Sequence, residues 1–231
     1  ALGNVGFGPS TRDRFWKPFM RGVFLENELS TTIRKFEETF RFFSKGDTVL
    51  PKNGIGEIPR QLAGKIPNDH ILLETEISKV GPNSVESSDG TKWEGSAVVL
   101  ATEDFHANQL LGIGKGHAEW NSVVCLYFSL AVDDLPSDER ILYLDGTGNG
   151  PINNLTFVST LCDCAPVGQA LASVSVIGKK ELDIQEIANQ AKEQLTEWFG
   201  EKAEGWKYLK GYRIHQAVPS CPVPPSPKPS L

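Results

Sequence analysis

Few residues in this chain have the type and spacing that reaction chemistry needs. Cys162 and Cys164 form a C-x-C pair, and the other two of the four cysteines, Cys125 and Cys221, stand alone. A structural zinc site wants paired C-x-x-C or Cys/His ligands in tetrahedral reach, and no second pair or nearby histidine completes a set. The cysteines therefore read as small, partly buried residues in a reducing compartment rather than as a metal or redox centre. His70, His106, His117 and His215 fall in separate segments with no i,i+4 pair, so each reads as a surface or hydrogen-bonded histidine before it reads as a base or a ligand. The stretch Gly146-Thr-Gly-Asn-Gly150 looks superficially like a phosphate loop. It lacks G-x-G-x-x-G spacing, and no helix follows whose amino end would hold an anion, so it reads as a turn. No G-x-S-x-G, H-E-x-x-H, P-loop or EF-hand pattern occurs. The residues alone assign no catalytic group and no metal ligand.

Composition narrows the classes. The 231 residues include 23 Lys and Arg against 29 Asp and Glu, a formal charge of −6. An acidic chain without a basic cluster repels phosphate, which argues against nucleic acid and against anionic membrane surfaces. No apolar run reaches the length of about 18 residues that would span a bilayer. Hydrophobic residues make up 39%, enough at this length to build a core without disulfides.

The periodicities then place the elements. Ile33, Phe36, Phe40 and Phe43 recur at helical spacing, predicting a helix from Ser30, its N-cap, to Lys45 with its phenylalanines in the core. The loop Pro51–Pro59 carries Gly54 and Gly56, and a helix through Lys65 should follow with Ile58, Leu62 and Ile66 on one face. Alternation at Ile71, Leu73, Thr75 and Ile77 predicts a strand, Asp89-Gly90 a tight turn between Val85 and Trp93, and Ala97–Ala101 a strand covered on both faces. Thr102 should cap a short helix, Phe105–Leu111, closed by Gly112. Strands are expected at Val123–Val132, Ile141–Leu144, Leu155–Ser159, Leu171–Ile177 and Lys207–Gln216. Between the last two lies a helix, Asp183–Phe199, opened by an Asp183/Glu186 capping box. From Pro219 onward the chain holds six of the 15 prolines, five of them in SCPVPPSPKPSL, and reads as an extended, solvated tail.

Several segments together resemble one family. FWKPFMRGVFLENELSTTIRKFEETFRFFSKGDTVLPKNGIGEIPRQLA, then ILLETEISKV, AVVLATE, SVVCLYF and WKYLKGYRIHQAVPSC follow in order over nearly the whole chain. They are similar to the flavin-dependent amine oxidase and phytoene-desaturase superfamily. The resemblance implies an α+β flavoprotein fragment: a substrate domain with a mixed sheet and helices, plus a remnant β-meander of an FAD-binding domain. By that reading residues 1–66 are the helical part of the substrate domain with its linking loop. Residues 67–112 are the FAD-domain remnant, 113–218 the substrate-domain sheet and long helix, and 219–231 the flexible proline-rich tail.

The cofactor implied is FAD, and the partner a small-molecule substrate. Ile77 occupies the meander position that meets the adenine through backbone atoms, and Ala101–Glu103 lie near the same end of the cofactor. A lysine that many amine oxidases of this superfamily hold near the flavin falls at about Cys125, which is no cation. The G-x-G-x-x-G unit that seats the pyrophosphate on a helix amino end is not in this sequence, nor is the Gly-Asp segment that normally follows the AVPSC stretch. The chain thus reads as the middle-to-late part of an FAD-dependent oxidoreductase taking hydride from an amine or an apolar substrate. Val98, Val99 and Leu100 should then be under-covered. The alternative is a non-catalytic substrate-domain module that binds an apolar ligand or partner without flavin, and a third, unrelated β-rich binding protein ranks below both. An intracellular reducing compartment, cytoplasm or plastid, fits the cysteines and the resemblance to plant members.

Overall fold

A computed structural model of the chain describes residues 6, 8–114, 119–178 and 181–221. His117 and the proline-rich stretch from Pro222 lie outside the described residues. Two compact units emerge: Ile58–Ala118, and Ala1–Glu57 together with Glu119–Leu231. The class is α+β.

The larger unit is organised by a five-stranded sheet in the order β5-β6-β7-β4-β8. Its members are β4 (Trp120–Ala131), β5 (Tyr143–Leu144), β6 (Ile152–Phe157), β7 (Gln169–Ile177) and β8 (Lys207–Pro219). Every neighbouring pair is antiparallel, so the mixed sheet expected from the resemblance is corrected. The physical reason is that the one helical crossover, α6 (Ile184–Phe199), skips a strand. It carries the chain from β7 to β8, which lie on either side of β4 and run the same way without pairing.

Alternation in β4 and β7 divides this sheet into two faces. Leu126, Phe128 and Leu130 of β4 point inward with Ala170, Ala172, Val174 and Val176 of β7, all essentially buried. Against them lies α6, whose Ile187, Ala188, Ala191 and Leu195 are buried in turn. Asp183 caps α6 by accepting from Gln185 N–H at 2.7 Å. Glu186 does not complete the expected box; its carboxylate accepts from the Gln190 side chain one turn on. The far end is clamped by Lys192, whose ammonium donates to the carbonyls of Ala203 (2.6 Å), Glu204 (3.0 Å) and Trp206. This fixes the corner from α6 through α7 (Glu201–Glu204) into β8, and desolvation lowers the Lys192 pKa.

The amino-terminal helix begins as α1 (Pro9–Thr11), passes through a π-helical stretch Arg12–Trp16 and continues as α2 (Lys17–Phe24). Two asparagines tie α2 to the sheet. Asn153 of β6 donates to Pro18 C=O at 3.0 Å, and Asn121 of β4 donates to Phe24 C=O at 2.9 Å, satisfying an orphan carbonyl of the last turn.

Next comes α3 (Ile33–Phe43), capped by Thr32 rather than Ser30, because the Ser30 hydroxyl donates to the buried Glu26 carboxylate. The expectation that its phenylalanines form core is corrected. None of its residues is buried, and Phe42 is 66% exposed. Phe36, Phe40 and Phe43 stack on one another and on Trp16 and Phe19 of the preceding helix, the latter at 5.3–6.4 Å between ring centres. A short α4 (Glu57–Ala63) follows the glycine loop.

The smaller unit holds a three-stranded antiparallel meander, β1 (Ile77–Val80), β2 (Ser84–Ser87) and β3 (Lys92–Glu94), and α5 (Asp104–Leu111). Val85 faces Trp93 across the Asp89-Gly90 turn, as the sequence predicts. Two expectations are corrected. The strand expected from Ile71 begins only at Ile77, and Ala97–Ala101 forms no strand. The reason for the second is the lack of a pairing partner among the described residues: without a ladder an apolar run cannot satisfy its amides as a strand. Val99 is 87% exposed, and Val98 and Leu100 are half-buried. Thr102 does not cap α5; Glu103 holds the cap position, and Gly112 ends the helix with a left-handed φ. The proline-rich segment begins inside β8: Pro219 pairs with Trp120, and Ser220 N–H donates to Glu119 C=O at 2.7 Å.

Two outcomes follow for stability. Leu126 is wholly buried on the central strand, so Leu126→Ala should cost about 2–5 kcal/mol in urea unfolding. Asp89 accepts from the Ser87 hydroxyl and the Thr91 amide, which hold its carboxyl at about 2. A lowered carboxyl pKa stabilises the turn above the unfolded value and loses that contribution as pH falls. Protection of the Thr91 amide, taken as its hydrogen-exchange rate relative to an unstructured peptide at the same pH, should hold above about pH 4 and fall toward pH 2.

Candidate functional site

The inner face of the larger sheet is spent on α6, and α2 meets β6 and β7 where Val123 and Ile177 are buried on the opposite face, so the half-buried middle of that opposite face is the candidate surface. Registers define what stands there. Thr156, Ser173, Tyr127 and Lys210 form one row across β6, β7, β4 and β8, and Asn154, Ser175, Cys125 and Tyr212 form the next. Ser129 stands opposite Leu171 beyond them, its hydroxyl donating to Gln169 at 2.8 Å. The face is a half-polar platform carrying hydroxyls, an amide, two phenols, a thiol and an ammonium.

The aromatic groups interlock. Tyr127 and Tyr212 meet edge to face at 6.0 Å, and the Lys210 ammonium sits 4.9 Å above the Tyr212 ring. A cation over a phenol is held by the ring's negative face. Lys210 therefore already occupies Tyr212, and Tyr127 is the ring left to meet a bound molecule.

Cys125 lies at the centre of the platform, half-buried between Ser175 and Tyr212. Burial pushes its thiol above the ordinary range. A neutral thiol is neither a cation nor a nucleophile. The geometry thus supplies binding and orientation from side chains and no acid–base pair.

The remaining candidates stand apart from this platform. Ile77 opens β1, the edge strand of the meander. Ser88 N–H donates to Glu76 C=O at 2.9 Å, so the neighbouring Ile77–Ser87 pair is the non-bonded kind, and the Ile77 amide and carbonyl face the open edge. A backbone edge of that kind fits the donor and acceptor pattern of an adenine. Ile77 belongs to the smaller unit and Cys125 to the larger.

Neither cysteines nor histidines assemble a metal site among the described residues. Cys162 is buried with its thiol toward Val158 C=O, and Cys164 is exposed. Desolvation and then Cys162 raise the Cys164 thiol to about 11. His70 and His215 are exposed, and His106 faces Glu103 at 3.8 Å on the surface of α5. The Gly146–Gly150 stretch is a turn, as its spacing predicts. Asp145, buried, accepts from Thr147 N–H (2.9 Å), the Thr147 hydroxyl (2.6 Å) and Gly148 N–H (3.0 Å), and β6 follows directly.

Sequence reasoning missed Tyr127, Lys210 and Tyr212. Their signal was the two-residue alternation in VVCLYFSL and YLKGYRI, which assigns them to one face once the register is known.

Comparison with known proteins supplies the context. The family model described as flavin containing amine oxidoreductase matches residues 1–210. No curated protein sequence matches the chain significantly. Among solved structures, reduced UDP-galactopyranose mutase superposes with a TM-score of 0.58 at 10% identity, covering 94% of this chain and 55% of that one. A putative protoporphyrinogen oxidase from Exiguobacterium sp. 255-15 gives 0.53 at 14% identity, over 74% of this chain and 41% of that one. Putrescine oxidase bound to putrescine gives 0.52 at 13% identity, over 72% and 41%. The chain spans about half or less of the length of these structures.

The raised thiols have a direct consequence. With its pKa near 11, Cys164 carries about a hundredfold less thiolate at pH 8 than a thiol of pKa near 9. Alkylation by iodoacetamide, followed by mass spectrometry of the folded chain, should label Cys164 at least tenfold more slowly than a cysteine in a short unstructured peptide (about one pKa unit's worth of thiolate).

Proposed function

Because the chain belongs to the flavin containing amine oxidoreductase family, we propose that it forms part of an FAD-dependent oxidoreductase that takes hydride from an amine or an apolar substrate. The observation that carries this reading is the match of the family model over residues 1–210.

In this reading the Ile77 amide and carbonyl hold the adenine, and Ala101–Glu103 lie near the same end of the cofactor. FAD, when bound, supplies the hydride acceptor. The chain's own residues do the rest. Thr156, Ser173, Ser175 and Asn154 orient the substrate through hydrogen bonds, Tyr127 offers a ring face to an amine or an apolar group, and the half-buried Cys125 thiol keeps the centre of the platform uncharged. The pyrophosphate cradle is not among these 231 residues.

A second reading, a module that binds an apolar ligand or partner without flavin, is favoured by one feature, the half-exposed aromatic cluster of Phe15, Trp16, Phe36 and Phe43.

One experiment separates the two. Purified chain is mixed with FAD, desalted and inspected for bound yellow flavin. Retention by the wild type and by Ile77→Val, with at least a tenfold loss in Ile77→Pro, is expected, since proline removes the amide donor. A colourless wild-type chain overturns flavin binding by this chain and leaves the second reading. Equal retention by Ile77→Pro, with its fold verified by circular dichroism, overturns the role of Ile77.

A further inference from the structure

Spacing alone gives no reason to couple Cys162 to Cys164; the backbone between them does. The Cys164 N–H donates to the Cys162 C=O at 2.9 Å, a bond between residues i and i+2 that closes a γ-turn. Two residues apart on an extended chain, Cα atoms stand about 7 Å from each other. A closed turn shortens that span into the range of about 4.4–6.8 Å over which a disulfide joins two Cα positions. The side chains follow the backbone. The Cys164 thiol is hydrogen-bonded with Cys162, whose own thiol lies 3.6 Å from Val158 C=O.

The two thiols differ in access. Cys162 is 5% exposed, whereas Cys164 stands in solvent. That asymmetry separates an attacking sulfur, which an oxidant reaches, from a resolving sulfur, which it does not. The residue between them is engaged elsewhere. Asp163 N–H donates to Lys52 C=O at 2.6 Å, and its carboxylate meets the Lys52 ammonium at 3.3 Å. The turn thus holds the loop around Lys52 through its middle residue, while its two flanking thiols are left to each other.

We propose that Cys162 and Cys164 form a reversible disulfide that locks this turn and its hold on Lys52. The oxidant is a small disulfide of the glutathione class. The Cys164 thiolate attacks one glutathione sulfur; the mixed S–S bond forms, the glutathione S–S bond breaks, and one glutathione thiolate leaves. Cys162 then attacks the Cys164 sulfur, and the second glutathione thiolate leaves. Each protein thiol gives its proton, through solvent, to a departing glutathione. Two protein thiols become one disulfide, one glutathione disulfide becomes two thiols, and excess reduced glutathione reverses both steps. Burial makes the first step slow: with its thiol at about 11, about one Cys164 in a thousand is thiolate at pH 8. The second step is faster, because its two sulfurs are already neighbours and glutathione is the more acidic leaving thiol. Nothing here depends on flavin, so the test is run without FAD.

The full chain is incubated with oxidised glutathione near pH 8, quenched in acid, digested and mapped by mass spectrometry. The wild type should accumulate the internal Cys162–Cys164 disulfide. Cys162→Ser, which keeps a donor beside Val158 C=O, should retain at least tenfold more glutathione on Cys164, because no resolving thiol remains. Cys164→Ser should leave Cys162 unmodified. Hydrogen exchange of the Asp163 amide should slow at least threefold in the oxidised wild type and recover on reduction. A lasting glutathione adduct on Cys164 of the wild type, or no reaction there, overturns the disulfide. Asp163 exchange that is unchanged or faster after oxidation overturns its hold on the loop.

Discussion

The larger unit depends on the central position of β4. It pairs with β7 on one side and β8 on the other, so both rows of its backbone groups are satisfied. Its inward side chains, Leu126 and Phe128, are wholly buried. Burying a side chain of that size contributes about 1.5–3 kcal/mol, and slipping the register by one residue would turn each of them to the opposite face. One alternation therefore fixes where α6 packs, and which residues remain outside it. Cys125 and Tyr127 belong to the platform because Leu126 and Phe128 belong to the core.

Elements whose stability is local or strongly periodic were legible in the sequence. α6 carries its cap, its apolar stripe and its terminating glycine within one stretch, and β4 and β7 announce their alternation. The Asp89-Gly90 turn is held by its own residues. What failed depended on partners that a linear reading does not contain. Ala97–Ala101 has the composition of a covered strand and finds no ladder among the described residues. The phenylalanines of α3 have the spacing of a core stripe and meet one another and the rings of the preceding helix instead. Ser30 has the chemistry of an N-cap and gives its hydroxyl to Glu26, four residues back. Each is a case of tertiary context overriding a local preference.

The candidate platform was legible only in part. Cys125 could be placed from the sequence through resemblance, whereas Lys210 and Tyr212 join it through a pairing of β8 with β4 that spans some eighty residues of chain. Periodicity says that two residues of one strand share a face; it does not say which strand lies beside it.

The strand β6 joins the sheet to α2. Its register shifts between Ile152 and Asn154, a bulge of the kind that re-aims side chains. Asn154 stands on the platform, and the buried Asn153 side-chain amide donates both to the Asn154 side-chain oxygen at 2.9 Å and to Pro18 C=O, in the first turn of α2, at 3.0 Å. One side chain thus positions the helix and a polar group of the platform.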